Sequence, residues 1–173
     1  MGRDDRVLRM CQGVLRTLNG LNWVFVVVSA VALILTMALA GPLSAHLAHK
    51  YQSQPVEPIV IGLRLLLLLG IAVGCPAHLI FTRLLGVIAT VRAGDPFTIA
   101  NAQRLRVIGW ALLAMQLLDL LAGLLNGWMT LRHIDTIGWQ PSIGGWIAVP
   151  MPFVLARVFA IGVEMRAEIE ATI

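Results

Sequence analysis

Three side chains carry charge where the surrounding sequence is apolar: Arg64, Asp119 and Arg157. Ionisable groups inside a hydrocarbon environment are costly, so such residues are the first candidates for chemistry or for a structural ion pair. Arg64 stands five residues inside one apolar run, about 8 Å at 1.5 Å per residue. Asp119 stands six or seven residues inside another, about 10 Å. Equal depth and opposite charge predict an Arg64–Asp119 pair, serving either as a fastener between two helices or as a polar site for a proton or small ligand. Arg157 is expected to snorkel to the headgroups, with Gln116 at a similar depth. His78 follows Cys75 by one helical step, but a metal site needs three or four ligands, and no further ones are in view. Neither a nucleophile–base pair nor a phosphate loop occurs, so an enzyme is not expected, and neither is a cofactor or metal.

The elements that would position these residues are membrane helices. The 173-residue chain is 58% hydrophobic and 13% charged, too apolar for a soluble core to conceal. Runs such as "WVFVVVSAVALIL" and "LLLLLGIAV" do not alternate, which excludes barrel strands. A helix needs about 20 apolar residues to cross the bilayer. Four segments qualify, at about 21–40, 59–85, 107–125 and 146–163, giving an all-α integral membrane four-helix bundle as one domain over 1–173. A connector at 86–106, with a short helix before the third span, and a tail at 164–173 complete the layout. Cys11 and Cys75 are too far apart to form a disulfide framework. Pro76 should bend the second span. Gly70/Gly74 and Gly123/Gly127 form small-xxx-small steps for close packing within the chain, and leave a homodimer open.

Charge sets the orientation. Arg3, Arg6, Arg9 and Arg16 precede the first span, and Arg83, Arg92, Arg104 and Arg106 surround the central connector. The other two connectors hold only Lys50 and Arg132. Because Lys and Arg concentrate in cytoplasmic loops, both termini and the connector are expected inside. All five tryptophans then fall near headgroup level. "ALAG" at 38–41 resembles a signal-peptidase site, but acidic Asp4 and Asp5 and the length of the apolar run favour an uncleaved helix. The expected location is therefore a membrane, crossed several times, with both termini cytoplasmic. The net charge of +4 follows from this topology and needs no nucleic-acid partner.

The connector "GDPFTIANAQRLRVIGW" has its own chemistry. Gly94 permits a turn, and Asp95 or Thr98 is the cap of the helix that follows. Arg104 and Arg106 would lie near the headgroups, where each cation gains about 1 kcal/mol from anionic lipid. The tail carries Glu164, Glu168 and Glu170, which would either salt-bridge the connector or join it as a docking surface.

Gly94, Pro96, Phe97, Asn101, Arg104, Leu105, Arg106, Ile108, Gly109 and Trp110, with Val158, Phe159, Gly162, Glu168, Glu170, Thr172 and Ile173 near the end, resemble a bacterial four-helix membrane family, domain of unknown function 2975. Arg157 departs from its pattern. Members are often encoded beside small helix-turn-helix regulators, so the resemblance implies such a cytosolic partner. The expected function is thus a non-enzymatic membrane protein that regulates or anchors that partner. Docking would use Phe97, Asn101, Arg104, Arg106, Glu168 and Glu170. A small transporter or sensor built on Arg64 and Asp119, and a structural subunit of a membrane complex, are the alternatives.

Overall fold

Apolar residues without alternation and a scarcity of helix breakers give long helices. The computed structural model describes residues 3–50, 56–132, 134, 139–140 and 142–172, and every regular element among them is helical. These are α1 (Arg3–Ala38), α2 (Ala40–Lys50), α3 (Val56–Arg92), α4 (Ile99–Leu131), α5 (Ile143–Ala148) and α6 (Pro150–Thr172). Four stretches are long and apolar enough to cross a membrane: those of α1, α3, α4, and α5 taken with α6. Only 6% to 22% of each apolar stretch is buried within the chain, so Val24, Val28, Ile34, Leu121, Leu124, Met151 and Val154 face outward. A water-soluble protein rarely leaves so much apolar surface uncovered, whereas lipid is a matching solvent for it.

The helices outrun their apolar cores. α1 has 36 residues, about 54 Å of rise against a hydrocarbon thickness of about 30 Å. Hydropathy marks where a bilayer would end, not where the backbone hydrogen-bond ladder stops, and charged turns continue the helix. The expected 86–106 connector therefore shrinks to 93–98, and the expected short helix before the third span is the first part of α4 itself. The segment after the first span, read as a connector, holds α2. Pro42, lacking an N–H, leaves the Ala38 carbonyl without its usual donor, and the helix is interrupted at Leu39. Likewise the last span is divided between α5 and α6, next to Pro150. Pro76 lies inside α3, which continues past it.

The chain falls into two compact units. The first comprises Met1–Asn22, Pro76–Gln116 and Ser142–Ile173; the second comprises Trp23–Cys75 and Leu117–Pro141. In the first, Leu105 and Ile108 of α4 pack with Ala156 of α6, flanked by Ile80, Leu84 and Phe159. A Cβ on Gly109 would stand 2.5 Å from Phe153 Cε2, so α4 and α6 meet closely there. Gln12 Oε1 accepts from Arg92 Nη1 at 2.8 Å, tying α1 to α3. In the second unit Ile59, Met129 and Ile134 form the core. Gly70 receives Phe25, and Gly123 receives the Trp139 ring, while Gly127 has open space beside it. Each small-xxx-small step thus has a glycine in close contact within the chain.

Candidate functional site

The end of α3 and the start of α4 form one hydrogen-bonded knot in the first unit. Gly94 adopts φ +82°, the left-handed conformation that a glycine accepts without steric cost. Its N–H donates to the Val91 carbonyl at 3.1 Å, and that of Asp95 donates to the Thr90 carbonyl at 3.1 Å. This Schellman pattern satisfies carbonyls that the end of α3 would otherwise leave bare. Of the two expected caps, Thr98 is used. Its hydroxyl accepts from the Asn101 N–H at 3.2 Å, and its carbonyl accepts from Ala102.

Asn101 closes the knot from inside. It is fully buried at 0% exposure, where an unpaired amide would be costly. Its Nδ2 donates to Thr90 Oγ1 at 2.6 Å and to the Pro96 carbonyl at 2.8 Å. Its Oδ1 accepts from Arg104 Nη1 at 2.7 Å. Thr90 Oγ1 in turn donates to the Val87 carbonyl at 2.8 Å, and Arg104 Nη1 also reaches the Gly86 carbonyl at 3.2 Å. Gly86 makes room: a Cβ there would stand 2.9 Å from Arg104 Nε. Phe97 fastens the turn to α6, its ring centroid 5.3 Å from that of Phe159, with Gly162 beneath it.

Three of the six residues expected to dock a partner are therefore committed internally. Asn101 has no surface to offer, Arg104 is held by Asn101 and Gly86, and Phe97, though 45% exposed, packs on α6. Arg106 is exposed and makes no hydrogen bond or ion pair among the described residues. Glu168 is exposed and bonded; the side chain of Glu170 lies outside the described residues. One ion pair that joins connector and tail has reversed polarity, Asp95 with Arg166 at 2.7 Å. With both side chains more than half exposed, it contributes at most about 1 kcal/mol.

The expected Arg64–Asp119 pair is not formed. Equal depth fixes height along a helix but not the direction a side chain takes, and each group has a nearer partner. Arg64 Nη2 donates to the Thr36 carbonyl at 2.7 Å, in the last turn of α1, where bare carbonyls and the helix dipole favour a cation. Asp119 accepts from Trp139 Nε1 at 3.1 Å, one turn from Gly123, which seats the same indole. A transporter or sensor site built on that pair loses its basis. Gln116 meets Ser142 and Gly145 at the start of α5, not Arg157, which is exposed and forms no bond among the described residues. His78 Nδ1 donates to Asn19 Oδ1 at 2.9 Å. Among the described residues no group of His, Cys, Asp and Glu could hold a metal, and both cysteines are free.

Sequence reasoning missed Thr90, Gly86, Thr36 and Trp139 as partners. Thr90 and Gly86 sat in what reads as a connector, and only the continuation of α3 brings them opposite Asn101 and Arg104. The fold and site define a class, an all-helical chain with four stretches able to cross a membrane and a locked turn between the second and third. No family model, curated protein or solved structure matches the chain.

Proposed function

We propose that this chain is a non-enzymatic, multi-pass protein of the bacterial inner membrane that holds a cytosolic partner on its inner face. The observation that carries the reading is the distribution of charge. Arg3, Arg6, Arg9, Arg16, Arg83, Arg92, Arg104, Arg106, Arg157 and Arg166 belong to the first unit, together with both chain ends and the connector. The second unit holds only Lys50, Arg64 and Arg132. By the charge rule the connector and both ends then face the cytosol. Asn101 ties the turn to both helices, so the backbone that carries the exposed cations Arg83 and Arg106 needs little ordering at binding.

The partner favoured by the family resemblance is a small helix-turn-helix regulator. Such a protein keeps a basic face for DNA, which an arginine-rich dock would repel. The dock therefore takes an acidic face of the regulator, and the regulator's DNA-reading surface is not the contact. In pull-downs after mild detergent extraction, a Arg83→Glu/Arg106→Glu variant is expected to recover the DNA-binding partner at least about tenfold less well than wild type, a loss of about 1.4 kcal/mol. Its thermal unfolding should be unchanged, because both side chains are exposed. Equal recovery by the two proteins would contradict the docking role.

A further inference from the structure

A groove of about 590 Å³ runs between α2 and the start of α3 in the second unit. Its walls include Ala40, Ser44, Val60 and Ile61, and two charged residues line it, Glu57 and Arg64. Arg64 is half-buried, and Nη2 makes its bond to Thr36. Its Nε is shut off from solvent with no acceptor, and among the described residues no carboxylate pairs with the guanidinium. A charge so placed is stabilised by an anion brought to it. Glu57 is exposed and makes no bond among the described residues. It precedes Arg64 by seven residues, two turns on the same helix face and about 10 Å along the axis.

The groove thus presents an anion in the first turn of α3 and a cation two turns further in, joined by apolar walls. We propose that it binds a phospholipid with an ethanolamine headgroup, the phosphate on Arg64, the ammonium at Glu57 and the acyl chains continuing beyond Arg64 along the outward-facing Leu65 and Leu68. The order of charges matches that lipid: ammonium outermost, then phosphate, then hydrocarbon. An anionic headgroup would meet Glu57 with the wrong sign, and an uncharged lipid would leave Arg64 without its anion. A primary ammonium also donates hydrogen bonds to a carboxylate. This inference rests on the membrane-spanning reading, which carbonate extraction of membranes tests separately.

Native mass spectrometry of the full chain in detergent, with phosphatidylethanolamine or phosphatidylglycerol of identical acyl chains added, tests it. Wild type should retain the ethanolamine lipid about tenfold more than the glycerol lipid. Glu57→Gln, an exposed change that leaves the fold intact, should keep phospholipid but lose that preference. Arg64→Gln should lose both lipids. Equal retention of the two lipids by wild type, an unchanged preference in Glu57→Gln, or wild-type retention by Arg64→Gln would overturn the proposal. Should Arg64→Gln fail to fold because α1 loses its cap, the Glu57→Gln preference decides.

Discussion

Replacing Asn101 with Ala is expected to destabilise the detergent-solubilised protein by about 2–4 kcal/mol. The substitution removes two amide donors and the acceptor that holds Arg104. A neutral hydrogen bond contributes about 1 kcal/mol net and one to a charged group about 1.5–3 kcal/mol, and the Pro96 carbonyl and Thr90 hydroxyl are left underpaired beside the space. Thermal unfolding of wild type and variant in the same detergent measures the difference. Limited proteolysis should also open the 93–98 turn first, because the knot is what ties it to α3 and α4. Thr98→Ala removes only the cap acceptor and should cost about 1 kcal/mol. If Asn101→Ala unfolds with wild-type stability and an uncut turn, Asn101 is not the lock described here.

Adding a single methyl at Gly109 is expected to be the next most damaging change. Two effects oppose each other. Gly→Ala in a helix interior gains about 0.5–1 kcal/mol from backbone conformation. Overpacking costs about 1–3 kcal/mol, and here the new Cβ would stand 2.5 to 2.9 Å from three atoms of the Phe153 ring. That ring cannot swing freely, since it is held edge-on to Trp110 at 5.6 Å. Between helices in lipid, packing is the main attraction, because lipid tails are as apolar as the side chains. Overpacking should therefore win, lowering stability by about 1–2 kcal/mol. Gly109→Ala/Phe153→Leu should recover most of the loss, a coupling that a double-mutant cycle reads directly. Gly127→Ala, with nothing within 4 Å of its new Cβ, should instead be neutral or stabilising.

Much of the architecture was legible from residue types. Four apolar runs sufficed for four stretches able to span a membrane, and Gly94 sufficed for the turn, while Asp95 and Thr98 competed as the next helix start and the structure uses Thr98. Helix ends were not legible, because Arg92 and Arg106 are as compatible with a solvated helical turn as with a loop. Partner choice was least legible. The charges of Arg64 and Asp119 suggested each other, yet a helix-end carbonyl at Thr36 and the indole of Trp139 took them. Both partners depend on which way a helix face is turned, which depth along a span does not encode. Asn101 shows the same limit in another form. A polar residue beside two arginines reads as surface, and only the opposing turn of α3 makes it the interior of a knot.

In the proposed orientation the 93–98 turn and both chain ends face the cytosol, and Arg106 is presented there. Side-selective cysteine labelling tests it most directly, with Cys11 and Cys75 replaced by Ser and a single cysteine placed at Arg106 or at Arg132, which is exposed in the second unit. A membrane-impermeant maleimide applied to intact spheroplasts should label position 132 at once and position 106 only after lysis. Labelling of both positions from the same side, or of position 106 alone from outside, would contradict the account.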